Sequence, residues 1–136
     1  MKIEEYDALI TAFRSTGDKQ AQQKRIEYTE SRGDEDVLAN FKATATSLEL
    51  EPIQVLGVFM QKHYSSIVNY IKTGKSYSEE DISSRIMDLI QYLELTYACI
   101  NERDDTPHVV ICAEDPKVIN KETMSLLSKK RGTDNG

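Results

Sequence analysis

The sequence predicts an all-α protein built as a single helical-bundle domain of four to five helices, and three observations carry that prediction. Apolar residues recur at steps of three and four through most segments, as in Leu56, Met60, His63, Ile67 and Tyr70. Residues that start and stop helices flank those stripes, with Pro52 ahead of this one and Gly74 behind it. Only one short β-prone run stands out, His108-Val109-Val110-Ile111-Cys112, and a lone strand has no partner inside a helical domain.

In chain order, Ile3, Tyr6, Leu9, Ile10 and Phe13 define a first helix over about residues 3–14, which Ser15-Thr16-Gly17-Asp18 is expected to end. Residues 19–30 are helix-prone, but Ile26 and Tyr28 are almost their only apolar members. This segment reads as an exposed helix or as an extension leaning on a partner, broken by Ser31-Arg32-Gly33. Asp34 is a good N-cap, and Glu35 and Asp36 suit the positive end of a helix dipole. Leu38, Phe41, Ala45 and Leu48 then mark a helix over about 35–48. The acidic trio has a metal-site reading too, yet capping already explains it.

The next helix spans Pro52–Thr73, its stripe widened by Phe59 and Ile71. A further helix is expected over Ser78–Asn101. Ser78 and Asp81 have capping-box spacing, and Tyr77 with Ile82 can staple it. Ile82, Ile86, Leu89, Leu93 and Ile100 form its core face. The connection between the two helices is short, so they are expected to be antiparallel neighbours. Residues 1–104 form the helical domain and 105–136 an irregular C-terminal extension. That extension holds the β-prone run, a short helix over Glu122–Lys130 and a frayed end.

The chain has 136 residues, 39% of them hydrophobic and 29% charged, enough for one core under a polar surface. Its net charge of −6 and pI near 5.0 argue against nonspecific nucleic-acid or anionic-membrane binding, which needs a basic footprint, while a local basic site can still bind a small phosphorylated ligand. Cys99 and Cys112 have no metal-ligand spacing and suit a reducing compartment. Neither a signal peptide nor a membrane-spanning run is evident, so a cytoplasmic protein is expected, without membrane partners.

Chemistry concentrates on the two long mid-chain helices. Lys62, Ser66 and Asn69 form a row beside one stripe, and Asp81, Arg85, Asp88 and Tyr92 a row beside the other. Rows displaced in the same sense on antiparallel helices emerge on one side of the hairpin. Cations, carboxylates, an amide and a phenol on one wall can hold phosphate, ribose and base. Each member also has a plain reading: Asp81 as a cap, Arg85 in a surface ion-pair ladder with Asp81 and Asp88, Lys62 as a solvated charge. His63 lies on the apolar stripe itself and reads as a hydrogen-bonded core histidine or as a donor at the base of a pocket. Asn40 is a base- or ribose-reading amide or an exposed helix residue. No nucleophile has an evident base, and Gly74-Lys75-Ser76 lacks the upstream glycines of a P-loop.

Lys24-Arg25-Ile26-Glu27-Tyr28, Leu38-Ala39-Asn40-Phe41-Lys42, Val55 through Lys62-His63, and Ile67-Val68-Asn69-Tyr70 follow one another in order. Glu79-Glu80 and Arg85-Ile86-Met87-Asp88-Leu89-Ile90-Gln91-Tyr92 complete that order. Over roughly residues 20–102 the chain resembles the phage nucleotide-modification-associated domain proteins. More remotely, it resembles the all-α MazG-like nucleoside triphosphate pyrophosphatases. The resemblance implies an oligomeric helical fold with a nucleotide held between helices. In the MazG-like enzymes, Glu-x-x-Glu and Glu-x-x-Asp pairs hold Mg²⁺. Here Glu27-x-x-Glu30 has the first spacing, but Glu80 and Asp88 stand eight apart and no Glu-x-x-Asp pair joins them.

The incomplete quartet tilts the expectation toward binding without turnover. The expected function is recognition of a nucleotide or nucleotide-derived ligand by a homo-oligomer, sequestering a host defence signal in a viral context. Lys62 and Arg85 would take phosphate, Asn40 and Asn69 ribose or base, and Tyr92 would stack or donate beside Asp88. The enzymatic alternative is a Mg²⁺-dependent pyrophosphohydrolase using Glu80 and Asp88 as metal ligands. A third reading is a helical protein–protein interaction module, with residues 19–32 and the tail from Pro107 as its contacts.

Overall fold

The computed structural model describes residues 1–32, 36–76 and 79–104, with side chains described outside 28–32. Four helices follow one another, α1 (Ile3–Arg32), α2 (Ala39–Leu48), α3 (Pro52–Thr73) and α4 (Ile82–Arg103), and no strand occurs among the described residues. The fold is all-α, and no described helix is long and apolar enough to cross a membrane. The chain divides into two compact units, Met1–Thr96 and Tyr97–Gly136. The β-prone run His108–Cys112 and the final helix expected over Glu122–Lys130 lie outside the described residues, as do Asp34, Glu35, Tyr77 and Ser78.

α1 is one continuous helix, not the two segments that Ser15-Thr16-Gly17-Asp18 was expected to separate. Gly17 does not end it because its missing side chain is used for packing. A Cβ there would stand 3.3 Å from Met87 Cγ, so the glycine lets α4 approach closely. Thr16 turns its hydroxyl back onto the Ala12 carbonyl at 3.0 Å, satisfying itself within the helix. The glycine's carbonyl also accepts from Gln91 Nε2 at 3.4 Å. Ile10, Phe13, Gly17 and Ala21 are half-buried, while Ile3, Tyr6 and Leu9 stay exposed.

α2 begins at Ala39, later than the expected 35, because Asp36 caps the turn before it. Its Oδ1 accepts from Leu38 N at 2.9 Å, and its Oδ2 pairs with Lys42 Nζ at 2.6 Å. The helix closes through a left-handed Glu49 at φ 55°, which sends Leu50 N to the Ala45 carbonyl at 2.9 Å and Glu49 N to Thr46 at 3.4 Å. That tight reversal folds α2 onto α3. Leu38 and Ala45 are buried from one side, and Val55 and Leu56 from the other. Leu56 is fully enclosed.

α3 has the limits that its end residues predict. Pro52 occupies its first turn, where a missing N–H costs nothing, and Gln54 Oε1 accepts from Glu51 N at 2.8 Å. Gly74, at φ 67°, ends it by donating to the Tyr70 carbonyl at 2.7 Å. α4 begins at Ile82, four residues after the expected start at Ser78. Ser84 N and Arg85 N donate to the Asp81 carbonyl at 3.0 and 3.4 Å, which puts Asp81 at the cap position itself. Met60 opposite Thr96, and His63 opposite Tyr92 and Asp88, make α3 and α4 antiparallel neighbours.

Candidate functional site

All the contacts that build the site lie within Met1–Thr96. Its floor is aromatic. Phe59 and His63, one turn apart on α3, both stack with Tyr92 of α4, at ring-centroid distances of 5.6 and 5.2 Å. Phe41 of α2 meets Phe59 and Tyr92 edge-on at 5.8 and 6.2 Å. Rings of three helices thereby meet around Tyr92, beside the charged residues that follow. Tyr92, expected to stack on a ligand, is already stacked on its own chain.

His63 is the buried polar residue of this region, with its side chain 8% exposed. Burial pushes its pKa below the ordinary 6.5, with Arg85 and Lys62 reinforcing the shift and Asp88 and Glu80 opposing it. The ring is therefore neutral at pH 7. Its Nδ1 lies 3.7 Å from Asp88 Oδ2, too far for a hydrogen bond, and has no partner among the described residues. The expectation of a hydrogen-bonded core histidine is right about burial and wrong about that nitrogen. A facing carboxylate favours the tautomer that carries the proton on Nδ1.

Arg85 is the second enclosed nitrogen source. Its side chain is 12% exposed, its Nη2 donates to Glu80 Oε2 at 2.8 Å, and its Nε is buried without a partner among the described residues. The ladder expected with Asp81 and Asp88 does not form. Asp88 turns instead to Lys24 of α1, whose Nζ lies 3.2 Å from Oδ1. Glu80 and Asp88, the carboxylates that a magnesium-dependent reaction would need, are each matched to a cation. No group of three or more potential metal ligands occurs among the described residues.

Of the residues expected on the wall, the structure brings Arg85, Asp88 and Tyr92 together around His63, with Lys62 exposed but near enough for its charge to act on the ring. The antiparallel register brings half-buried Asn69 to the level of Ile86 and Arg85, and Asn40 is half-buried beside Phe41. Neither amide has a side-chain hydrogen bond to this group among the described residues. Glu27 bonds Gln23 Nε2 on the exposed face of α1, at 3.1 Å. Lys24 was not expected at the site. Its signal is that it continues the Ile10-Phe13-Gly17-Ala21 stripe at the same three- and four-residue steps.

Around His63 the cations of Arg85 and Lys62 face the carboxylates of Asp88 and Glu80, so charge is matched there on a chain of net charge −6. Two enclosed N–H groups without acceptors, a neutral imidazole and a rigid aromatic floor suit an acceptor-rich, anionic ligand. No protein-family model, no curated protein and no solved structure matches the chain.

Proposed function

We propose that the protein binds a nucleotide or nucleotide-derived ligand over the α3–α4 pair without turning it over. The observation that carries this reading is the pair of enclosed, acceptor-less nitrogens, Arg85 Nε and His63 Nδ1, with the exposed cation of Lys62 beside them. A buried donor without an acceptor costs about 1–3 kcal/mol, and a ligand oxygen would remove that cost on binding. Arg85 takes phosphate with Lys62 at the rim, Asn69 and Asn40 read ribose or base, and the ring of Tyr92 holds His63 in place beneath them. In a viral setting the same binding would sequester a nucleotide signal of host defence.

The test is thermal unfolding against a panel of nucleoside mono-, di- and triphosphates and cyclic nucleotides, with wild type and Arg85→Ala side by side. A ligand at one hundred times its Kd stabilises by about 2.7 kcal/mol, a shift of several degrees in Tm. The expected result is such a shift in wild type, lost in folded Arg85→Ala, with the nucleotide recovered unaltered. A shift that Arg85→Ala retains would remove this site, and nucleotide cleavage would turn the reading to hydrolysis.

A further inference from the structure

Nε–H and Nη2 share one edge of the planar guanidinium, the edge that grips an oxyanion through two parallel hydrogen bonds. In Arg85 that edge is half used. Glu80 Oε2 takes Nη2 at 2.8 Å, while Nε beside it is buried with no partner among the described residues. The two groups also differ in exposure, since the guanidinium side chain is 12% exposed and the carboxylate side chain 59%. Glu80 therefore reaches in from solvent to a fixed cation. Its backbone is held just ahead of α4, where its carbonyl accepts from Ser76 Oγ at 3.2 Å.

A second enclosed donor points to the same ligand. His63, with its side chain 92% buried, keeps Nδ1 without a partner, and the charges of both Arg85 and Glu80 act on its ring. The Glu80 oxygen held by Arg85 Nη2 leaves both nitrogens, Arg85 Nε and His63 Nδ1, without an acceptor among the described residues.

We propose that Glu80 is a built-in stand-in for the ligand's phosphoryl group, holding half of the Arg85 Nε/Nη2 edge until a phosphate takes both donors and displaces it. This rests on the nucleotide reading above and adds to it the class of group recognised and the residue that competes for its seat. Displacement keeps Arg85 paired with an oxyanion throughout, and the phosphoryl group that arrives brings more negative charge than the carboxylate that leaves. It also sets a threshold: ligands offering a single weak acceptor do not compete with a carboxylate, while a phosphoryl dianion does. Glu80 is then a specificity residue and not a metal ligand.

The test is calorimetric titration with inorganic pyrophosphate, and with any nucleotide that raises Tm, of wild type, Glu80→Gln and Arg85→Lys. Losing a competing charge-assisted hydrogen bond is expected to tighten binding about three- to tenfold in Glu80→Gln. Arg85→Lys keeps the charge but lacks the two-donor edge, and it is expected to weaken binding at least as much. Equal or weaker binding by Glu80→Gln, with wild type still binding through Arg85, would overturn the stand-in and leave the nucleotide reading intact. Binding by neither wild type nor Glu80→Gln at millimolar pyrophosphate and nucleotide would overturn both.

Discussion

Helix α3 and the first turns of α1 carry the same kind of apolar stripe, and the fold treats them in opposite ways. On α3 the stripe is fully enclosed at Leu56 and buried at His63, beside rings from α2 and α4, and opens to solvent toward Tyr70 and Ile71. On α1, Ile3, Tyr6 and Leu9 are 79%, 53% and 55% exposed, while the later Phe13, Gly17 and Ala21 are half-buried. Periodicity therefore tells which face of a helix is apolar, but not whether anything covers it. The covered stripe also holds His63, whose Nδ1 has no partner among the described residues, and α4 brings the unpartnered Arg85 Nε to the same region. Where packing is rigid enough to enclose an imidazole and a guanidinium without pairing them fully, recognition becomes possible.

Substitutions at the two ends of this contrast should separate sharply. Leu56→Ala empties the best-packed position and is expected to cost about 2–5 kcal/mol, read as a fall of many degrees in Tm. A loss below 1 kcal/mol would mean that the α2–α3 contact is not the core.

A smaller effect comes from the His63 end of the same stripe. Its folded pKa is lowered, so the unfolded chain binds the proton more readily. The resulting stability is complete above the ordinary 6.5 and is lost as pH falls from there toward the lowered value. Denaturant unfolding from pH 7.5 to 5 should follow that slope, and His63→Gln should flatten it. A slope unchanged in His63→Gln would assign the titration to another group.

Gly17 tests the join between the two parts of α1. Alanine gains helix propensity of about 0.5–1 kcal/mol, and its methyl needs only a small shift of the flexible Met87 side chain. Gly17→Ala is thus expected to be neutral or mildly stabilising, whereas a break in the helix at Gly17 would make it destabilising. Least of all, Leu9→Ser on the exposed stretch should stay within about 0.5 kcal/mol of wild type. A larger loss, together with a Tm that rises with protein concentration, would mean that a second chain covers that stripe.

Legibility in the sequence followed the local chemistry of each element. α3 was readable from end to end because a proline at its start and a glycine in the left-handed region at its end act through their own backbones. The stripe of α4 is equally clear, but the capping-box spacing of Ser78 and Asp81 points to a start at Ser78, whereas Asp81 is itself the cap. Gly17 misled for a different reason: a glycine that ends a helix and one that admits a neighbour look alike until the neighbour is known. At the site, Arg85, Asp88 and Tyr92 were visible as a row beside the stripe. Lys24 was not, since its contact with Asp88 crosses 64 residues and arises from a polar segment. The unpaired state of His63 Nδ1 depends on a gap of 3.7 Å, which no spacing rule encodes.

The central claim is that one seat, formed by Arg85 and His63 over the aromatic floor, receives an anionic ligand. Nitrogen-15 NMR of the arginine Nε–H and histidine ring signals, assigned through Arg85→Lys and His63→Gln, tests it most directly during titration with pyrophosphate or a stabilising nucleotide. The account predicts that the Arg85 Nε–H signal moves and exchanges more slowly with solvent, and that the His63 Nδ1 signal moves in step with it. Saturable binding that leaves both signals where they were would contradict it.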